Sequence, residues 1–387
     1  MLNIFFYIAF GYLGIWTAYL GFFSILGVFH RPKKMLRRVK SNSYAVIVPA
    51  YKEDAVIIDS VSQNLKQFGS DVRSRLFVVA DSLSTETLQN LSELNVTIIP
   101  VHFDHSTKAK AINEALKHIY SSEFSHTVIL DADNIMDQDF FAKLEAYPNA
   151  RLKAAQVHRT AKNQNSSMAI LDSLNEEMGN HIFRKGHVVA GLSSALIGSG
   201  MVFETELFKS AMQSIRDTAS EDKMLEFGLL ERGIRVSYLP DVLVFDEKVS
   251  NAIQFEGQRS RWVAARFFYL KNFAWKAWKQ LLSGNFDYFN KWLQFLLPQK
   301  ILLLGSTFLL GVVSLFNPAW IVLGVGLVAT QIVMIAVCIP GRLVNAEMLK
   351  SALLLPVVLW KMLSLMLRIR KIDTQKFNVT EKGQLAS

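Results

Sequence analysis

Cysteine is almost absent from this sequence: among 387 residues there is one, Cys338. A single cysteine excludes an intrachain disulfide framework, so the fold needs no oxidising compartment. No internal repeat or low-complexity tract is visible. Charged residues make up 19% of the chain, yet they are missing from residues 4–29 and 301–341. The length suits one soluble domain and a membrane part, which these two uncharged stretches would supply.

The first uncharged stretch holds 26 residues, and a helix needs about 20 to cross the hydrocarbon core of a membrane. A cleaved signal peptide is the alternative, but residues 1–3 carry no basic side chain and the stretch is too long. Six basic residues follow within residues 31–40. The positive-inside rule therefore predicts a transmembrane anchor over residues 1–30, with residue 31 onward in the cytoplasm.

The second uncharged stretch contains Asn317-Pro318 near its middle. Because proline favours a turn, we predict helices over 296–316 and 319–339, which form a transmembrane hairpin over residues 296–340. A third apolar stretch, Leu349–Leu367, contains Lys350 and Lys361. Crossing there would put the basic residues that follow it, Arg368, Arg370 and Lys371, on the outside. An interfacial helix over residues 349–371 is therefore favoured over a third C-terminal membrane helix. Residues 372–387 are then a cytoplasmic tail.

Residues 41–255, between the membrane stretches, have the mixed composition of a globular domain. Runs typical of buried parallel strands lie at Tyr44–Val48, Arg75–Ala80, Val96–Val101 and Thr127–Leu130. Helical patterns separate them at Glu53–Phe68, Ser84–Leu94 and Lys108–Tyr120. This alternation predicts a doubly wound, Rossmann-like α/β sheet, and the ligands of such sheets bind at the carboxyl ends of the strands.

Two carboxylates follow the fourth predicted strand, in the string Asp131-Ala132-Asp133. Asp131 and Asp133 alternate along the chain, so both side chains project to one side. Two carboxylates this close repel each other unless a cation or ligand group compensates their charge. Oxygen ligands and a diphosphate substrate suit Mg²⁺ or Mn²⁺. The pair alone is a weak signal, but its place at a strand end favours a metal site.

A glutamine, an arginine and a tryptophan share a second string, Gln258-Arg259-Ser260-Arg261-Trp262. Arg261 can hold a diphosphate by charge-assisted hydrogen bonds, and Trp262 offers a flat apolar face to a pyranose ring. Aromatic and basic side chains mix over residues 256–285, which predicts an amphipathic helix at the membrane interface. Such a helix without a substrate role is the alternative.

Together with Glu221-Asp222, these strings resemble the membrane-bound family 2 glycosyltransferases, which include the cellulose, chitin and hyaluronan synthases. The resemblance covers roughly residues 44–262 by motif. It implies a glycosyltransferase-A fold in which Asp133 binds the metal directly and Asp131 contacts the nucleotide sugar. It also implies that Asp222, with Glu221 beside it, is the catalytic base that takes the acceptor's proton. A Ser220 cap on a helix with an acidic first turn is the structural alternative.

The nucleotide-binding residues follow from the same resemblance. The string Val48–Glu53 resembles the opening motif of the family, with Lys52 as a departure from it. This resemblance implies nucleotide contacts from Pro49, Tyr51 and Glu53. Asp81 matches the family aspartate that accepts a hydrogen bond from the base, and its alternative role is to cap the helix that begins at Ser84.

Lysine and glycine positions complete the predicted site. Lys108-Ala109-Lys110 resembles the lysine string of the family at a helix start, where backbone donors and an ammonium suit a diphosphate. Lys108 aligns better, but the assignment between the two lysines stays open. Gly200, in the turn Gly198-Ser199-Gly200, resembles the position that lets an acceptor approach the backbone. The substrate-binding residues expected from the last string are Gln258, Arg261 and Trp262.

The resemblance implies a metal-dependent, inverting, membrane-embedded enzyme that transfers sugar from a UDP-sugar to a saccharide, as a processive synthase of a β-linked polysaccharide. A glycolipid synthase similar to ceramide glucosyltransferase, with a lipid acceptor, is the alternative. We expect a multi-pass protein of the bacterial inner membrane with a cytoplasmic catalytic domain. The small membrane part suggests a homo-oligomer or a membrane partner. The intact carboxylates disfavour an inactive scaffold, and basic residues clustered beside membrane spans disfavour nucleic acid as a partner.

The charge distribution makes a topology prediction. A reporter fused after Lys40 or at the C-terminus should be cytoplasmic, and one inserted at Asn317-Pro318 should be external, because basic segments stay inside. Protease accessibility of each reporter in sealed vesicles measures this. A C-terminal reporter on the external side would show that residues 349–371 cross the membrane.

Overall fold

The computed structural model describes residues 2–31, 42–68, 73–218, 220–248 and 252–368. The predicted tail, 372–387, and nearly all of the basic segment 31–40 lie outside these residues. The chain divides into two compact units. The sheet unit holds the described parts of residues 31–163 and 193–248, and the helical unit holds those of residues 1–30, 164–192 and 249–374. Gln164–Leu192, inside the predicted 41–255 domain, therefore groups with the helical unit.

The sheet unit is built on one eight-stranded sheet in the order β3-β2-β1-β4-β7-β6-β8-β5. The strands are β1 Tyr44–Tyr51, β2 Ser74–Asp81, β3 Thr97–Val101, β4 His126–Ile129, β5 Ile135–Met136, β6 Ala154–Ala161, β7 Met201–Glu204 and β8 Ser237–Asp246. With helices numbered along the whole chain, this unit contains α2 Ile57–Leu65, α3 Thr85–Ser92, α4 Lys108–Lys117, α5 Phe140–Glu145, α6 Asn149–Leu152, α9 Thr205–Met212 and α10 Glu221–Glu231. The predicted doubly wound, Rossmann-like α/β class is confirmed.

Strand β1 shows why the first half of the sheet was predictable. Its side chains alternate between two buried clusters, with Val46 packed on the side of α2 and Ile47 on the side of α4. Because both faces are covered, the strand is a continuous apolar run. It pairs in parallel with β2 and β4, and β2 pairs in parallel with β3. Their carboxyl ends therefore share one edge of the sheet.

The second half of the sheet was not predicted. Strand β7 has only four residues and runs antiparallel to both β4 and β6. Strand β6 contains Gln156, His158 and Arg159, so it lacks an apolar run, and its parallel pairing with β8 shifts register after Val157. The antiparallel β7 places Gly200 beside β4, where its backbone N–H donates to Ile129 O at 2.8 Å.

Helices make up the other unit. They are α1 Leu2–Val28, α7 Ser167–Asn180, α8 His187–Val189, α11 Ala252–Leu282, α12 Phe286–Leu293, α13 Lys300–Ser314, α14 Ile321–Cys338, α15 Ala346–Ala352 and α16 Leu355–Arg368, with a π-helical turn at His181–Gly186 and a 3₁₀ turn at Gly341–Leu343. Among the described residues, α1 and α14 are long and apolar enough to cross a membrane. Helix α13 has 15 residues and is shorter than the 296–316 helix predicted from sequence.

The single helix predicted over the last apolar stretch is instead two helices. Helices α15 and α16 bend by 44° at the break between them. The cause is Pro356, the second residue of α16, which has no backbone N–H and whose ring would clash with the carbonyl of Ala352 in a continuous helix. Counted as one bent segment, the pair is a third candidate span.

Polar side chains join the apolar helices of the helical unit. Gln331 of α14 donates from Nε2 to Thr17 Oγ1 at 3.1 Å and to Thr307 Oγ1 at 2.8 Å, which connects α14 to α1 and α13. Gly324 packs so closely on α13 that an added Cβ would lie 2.0 Å from Ser314 Oγ. Small residues and buried hydrogen bonds of this kind are how helices associate in a membrane.

His126, the first residue of β4, makes the sheet unit sensitive to acid. Burial lowers the pKa of its imidazole from 6.5 to about 4. The folded protein keeps the ring neutral over this range, whereas the unfolded chain takes up a proton below about pH 6.5. We therefore expect the free energy of unfolding to fall from pH 6.5 to pH 4, with this residue contributing up to about 3 kcal/mol.

The measurement is the thermal unfolding midpoint of the full-length protein in detergent across this pH range. His126→Gln should flatten the profile relative to wild type. His118→Gln replaces an exposed histidine of the same unit and should leave the profile unchanged. Parallel profiles for wild type and His126→Gln would contradict the assignment.

Candidate active site

The predicted nucleotide residues lie at the ends of β1 and β2. Tyr51 and Asp81 are the last residues of these strands and are paired in register. Lys52 and Ser82 follow them in left-handed conformations, with φ of 54° and 56°. Lys52 N donates to Asp81 O at 3.1 Å, so the two turns are joined. The predicted contacts Pro49 and Glu53 lie on β1 and in the turn before α2.

Asp81 does not cap the helix that follows it. Ser84 is the N-cap of α3, and its side chain accepts from Thr87 N. The backbone N–H of Ser84 donates to Asp54 Oδ1 at 2.8 Å. The buried Asp81 carboxylate instead accepts from Ser82 Oγ at 3.0 Å. The helix-cap alternative for Asp81 is therefore wrong, and its carboxylate stays at the sheet edge.

Lys108 occupies the centre of the site. It opens α4, whose N-cap Thr107 accepts from Lys110 N at 3.3 Å. Its ammonium donates to Asp131 Oδ1 and to Gly198 O, the latter at 2.8 Å, and lies 3.7 Å from Glu221 Oε1. The ammonium of Lys110 points elsewhere, to His105 O at 2.8 Å. Of the two lysines left open by the sequence, Lys108 is the one that faces the carboxylates.

The electrostatics of Lys108 come from burial and from its carboxylate neighbours. Burial by itself would lower the pKa of the ammonium, but the charges of Asp131 and Glu221 together raise the pKa above its usual value. Asp131 has a second cation nearby, because Arg159 Nη1 lies 3.9 Å from its Oδ2. Asp131 thus lies between two cations.

Asp133 has a different environment from Asp131. Its side chain is buried, and its Oδ1 accepts from Asn134 Nδ2 at 3.1 Å. The backbone N–H of Asn134 donates to Asp131 O at 3.0 Å, so the two aspartates lie in one tight turn after β4. One carboxylate oxygen of Asp133 therefore contacts a neutral amide, while Asp131 contacts the ammonium of Lys108 and lies near the guanidinium of Arg159.

Glu221 and Asp222 begin α10. Ser220 stands at the N-cap position without a side-chain capping hydrogen bond, so the capping alternative is not what holds this turn. Glu221 is 5% exposed. Burial raises the pKa of its carboxyl group to about 7, Lys108 opposes this increase and Asp222 adds to it. The pKa of Glu221 therefore depends on the charges of Lys108 and Asp222 as well as on burial.

Asp222 is more open than Glu221. Its side chain is 17% exposed, against 7% for the side chain of Glu221. Its Oδ1 accepts from the backbone N–H of Lys223 at 2.8 Å, and its Oδ2 lies 3.7 Å from Lys223 Nζ. The Lys223 ammonium is anchored by donating to Leu196 O at 2.5 Å. Asp222 is thus an oriented, partly accessible carboxylate next to Glu221.

Two glycines shape the loop opposite Asp131. Gly198 and Gly200 have φ of +84° and +64°, which L side chains rarely adopt. A Cβ at Gly200 would lie 2.6 Å from Val157 Cγ2. Buried Gln156 fixes the loop by donating from Nε2 to Ser199 O at 2.8 Å and accepting from Ile197 N at 3.1 Å. The loop is therefore a rigid wall of the site.

Several residues of this region were missed in the sequence. Arg159 lies between Asp131 and Asp246, and its Nε is 3.9 Å from Asp246 Oδ2. Burial by itself would raise the pKa of Asp246, but Arg159 and Lys248 lower it far below its usual range. Asp246 ends a strand, as Asp81 does, which is the signal that would have found it. Arg159, in the middle of a mixed strand, carries no such signal.

The last string lies in the helical unit, on α11. Trp262 is 44% exposed, and the Arg259 guanidinium lies over its ring at 4.4 Å. Arg259 is buried and donates from Nη2 to Asp172 Oδ1 at 2.5 Å. The side chains of Gln258 and Arg261 lie outside the described residues. Arg259, which was given no role from sequence, is therefore a structural link between α11 and α7.

The donors at the β4 turn fit a divalent metal held jointly with a diphosphate. Within the described ranges, no three His, Cys, Asp or Glu side chains are grouped to hold a metal ion by themselves. Mg²⁺ at nucleotide sites is bound by one or two carboxylates, with substrate phosphates and water as its other ligands. Asp133, with Asp131 two residues earlier, supplies this number of carboxylates.

Comparisons with known proteins agree with this fold. Residues 41–265 match the family described as "Glycosyltransferase like family 2". Glucomannan 4-beta-mannosyltransferase 7 of Arabidopsis thaliana is 21% identical over 320 residues, covering 74% of this chain and 57% of the relative. The mannosyltransferase PcManGT of Pyrobaculum calidifontis, solved with GDP-Man and Mn²⁺, has a TM-score of 0.56 at 14% identity, covering 86% of this chain and 98% of that one.

The loop wall makes a prediction about Gly200. Gly200→Ala should lower the free energy of unfolding by more than about 1–2 kcal/mol, which is the cost of a left-handed alanine alone. The added loss is expected because its Cβ also overlaps Val157. The displaced loop should carry Gly198 O away from Lys108, so sugar transfer should fall as well. Thermal unfolding and transfer rate of the full-length protein measure the two effects.

Gly233→Ala is the matched control. Gly233 has a similar φ of +68°, but nothing lies within 4 Å of an added Cβ. It should show only the smaller loss of stability, with wild-type transfer at temperatures where it is folded. Equal losses in both variants would contradict a steric role for the Gly200 position.

Proposed function

This chain belongs to the glycosyltransferase family 2, and we propose that it transfers a sugar from a nucleoside diphosphate donor to a saccharide acceptor with inversion. The fold, the family and the relationship to mannosyltransferases support sugar transfer. The chain spans 57% of the length of the curated relative. The donor, the acceptor and the product are therefore proposals, argued from the site.

The observation that carries the proposal is the meeting of three predicted motifs at Lys108. Its ammonium contacts Asp131 after β4 and Gly198 before β7, and it lies 3.7 Å from Glu221 Oε1 on α10. These elements are up to about a hundred residues apart in sequence. A cation at the carboxyl edge of the sheet, at the first turn of a helix, suits the diphosphate of a donor.

The β4 turn would hold a divalent metal ion through Asp133, with Asp131 facing the donor. When bound, Mg²⁺ or Mn²⁺ neutralises the negative charge that develops on the departing diphosphate. Asp131 is already balanced by Lys108 and Arg159. We propose a division of work in which Asp133 binds the ion and Asp131, which contacts Lys108, orients the nucleotide sugar.

Asp222 is the proposed general base. The oxygen of an acceptor hydroxyl forms a bond to the anomeric carbon while its proton passes to the Asp222 carboxylate. The bond from that carbon to the diphosphate oxygen breaks, and its electron pair leaves with the nucleoside diphosphate. One displacement of this kind inverts the anomeric centre. The partial exposure of Asp222 and its fixed orientation support this role over Glu221.

Glu221 acts as the buried neighbour of this base. Burial raises the pKa of the Glu221 carboxyl group to about 7, so Glu221 carries less negative charge at neutral pH than an exposed carboxylate would. Less charge on Glu221 weakens its repulsion of the adjacent Asp222 side chain. Glu221 therefore supports Asp222 as the group that accepts the proton.

The donor and product are the finer parts of the proposal. A UDP-sugar follows from the motif resemblance, while the mannosyltransferase relative makes GDP-mannose the competing donor. Membrane association is supported by α1 and α14 and by the exposed aromatic side chains of α11, which are Trp262, Phe267, Phe268, Trp275 and Trp278. We propose a multi-pass protein with a cytoplasmic sheet unit that makes a β-linked polysaccharide. A single sugar on a lipid is the alternative product.

The test is transfer by the purified full-length protein in lipid, with UDP-glucose, UDP-N-acetylglucosamine and GDP-mannose offered separately with Mn²⁺. Asp222→Asn keeps the side-chain shape but accepts no proton, so turnover should fall by about 10²–10⁴-fold while the donor binds normally. Product size then separates a polymer from a glycolipid.

Asp217→Asn is the control for this change. Asp217 lies in the same segment, and its side chain is 60% exposed with an ion pair to Lys110. This variant should retain wild-type turnover. If Asp222→Asn lost donor affinity together with turnover, Asp222 would be a binding residue and not the base. If wild type transferred sugar from none of the donors, the proposed function would be wrong.

A further inference from the structure

We propose that Asn134 is a positioning residue that fixes the Asp133 carboxylate for metal binding, with Ser199 and Asp246 as its anchors. This inference rests on the proposed function, because it concerns how that site holds its metal. The motif resemblance assigns no role to Asn134 or Asp246, and it includes Ser199 only as the middle residue of a turn. The geometry of one fully buried amide carries the argument.

The side chain of Asn134 uses both of its ends. Nδ2 donates to Asp133 Oδ1 at 3.1 Å and to Asp246 Oδ1 at 2.9 Å. Oδ1 accepts from Ser199 Oγ. The residue has no exposed surface, so each of these bonds replaces one that water would otherwise make. One amide therefore joins the β4 turn, the end of β8 and the glycine loop before β7.

These contacts are part of a closed circuit around Asp131. Ser199 Oγ accepts from the backbone N–H of Asp131 at 3.0 Å. On the other side, Arg159 lies 3.9 Å from a carboxylate oxygen of Asp131 and 3.9 Å from one of Asp246. The path from Asp131 through Ser199, Asn134, Asp246 and Arg159 thus returns to Asp131. Both aspartates after β4 therefore contact residues of this circuit: Asp131 contacts Ser199, and Asp133 contacts Asn134.

The backbone of the turn is fixed from the opposite side. Asn64 of α2 donates from Nδ2 to Asn134 O at 2.8 Å, and its Oδ1 accepts from Met136 N at 2.7 Å. Ser60 Oγ of the same helix donates to Ala132 O. With the main chain held by α2, the remaining freedom at Asp133 is its side-chain rotation, and this is the freedom that the Asn134 amide restricts.

Asn134 is suited to this role because its amide is neutral and still donates. A carboxylate at this position would repel Asp133 and Asp246, and an apolar side chain would leave both without this donor. Groups that orient a metal ligand in this manner typically change metal affinity by about 10–100-fold when they are removed. The amide should therefore act on metal affinity more than on the donor or on folding.

The experiment measures Mn²⁺ binding directly, from the loss of the free-ion electron paramagnetic resonance signal. Full-length protein in detergent is titrated with Mn²⁺ in the presence of UDP and, separately, of GDP. Asn134→Ala should weaken Mn²⁺ binding about 10–100-fold. Ser199→Ala, which removes one anchor and leaves the amide, should weaken it less. At saturating Mn²⁺, the affinity for UDP and for GDP should change little in Asn134→Ala, because the amide contacts Asp133 and Asp246.

Asn42→Ala is the matched control for the loss of a buried asparagine. Asn42 is 5% exposed, hydrogen-bonds to Asn149 and Tyr44, and precedes β1 at the end of that strand away from Tyr51. It should lower the unfolding midpoint and leave Mn²⁺ affinity unchanged. Asn134→Ala with wild-type Mn²⁺ affinity, or an Asn42→Ala variant that weakens it equally, would overturn the positioning role.

Wild type separates this inference from the proposed function. If wild type transfers sugar and binds Mn²⁺ with either nucleotide, but Asn134→Ala binds it as tightly, only the positioning role is wrong. If wild type binds no Mn²⁺ with either nucleotide, the metal part of the proposed function is wrong and the positioning role with it. Tight Mn²⁺ binding in wild type and in Asn42→Ala, together with weak binding in Asn134→Ala, supports both the metal site and the positioning role.

Discussion

The ammonium of Lys108 is the charge on which the arrangement of the site depends. Asp131, Glu221 and Asp222 gather at one edge of the sheet, and carboxylates that approach one another out of water repel strongly. Lys108 offsets this repulsion by contacting Asp131 and lying near Glu221. It also donates to Gly198 O. The ammonium of Lys108 thus links a strand end, a loop and the start of a helix, which makes the site a property of the folded sheet unit.

The sheet topology explains why these elements meet. Parallel strands β1, β2 and β4 present their carboxyl ends at one edge, where loops can carry ligand-binding groups. The antiparallel β7 then enters from that edge, so the loop before it lies beside the residues that follow β4. Strand β8 ends with Asp246, which reaches the same turn through Asn134. Residues from the half of the sheet that was not predicted therefore fix the turn that follows the predicted strand β4.

The helical unit depends on close helix packing and on buried polar contacts. In the lipid environment that we propose for its apolar helices, contact between them gains little, so close packing and buried hydrogen bonds must provide specificity. Gln331 bonded to threonines on two other helices and the contact of Gly324 with Ser314 provide both. The ion pair of Arg259 with Asp172 adds a buried link between α11 and α7. These polar contacts fix which faces of the helices pack together.

Local patterns in the sequence determined the class of the fold and identified the candidate residues that meet at Lys108. Buried parallel strands are continuous apolar runs, so β1, β2, β3 and β4 were recognisable without a structure, as were the polar residues that follow them. Strand β7 is short and strand β6 mixes polar with apolar residues, so neither shows this pattern. Both were missed because their place in the sheet depends on pairing with neighbouring strands. The break before α16 has a more local cause, since Pro356 lies within an apolar run whose composition otherwise favours one continuous helix.

Only the tertiary structure decided which of two lysines faces the carboxylates and that Ser84, not Asp81, caps α3. It also decided how Asp131 and Asp133 differ, since Asp131 lies between two cations and Asp133 against an amide. Spacing along a chain reports periodicity and neighbouring residues, whereas these distinctions depend on groups from distant segments. The electrostatic environment of each carboxylate is therefore a consequence of the fold and is not written in any single motif.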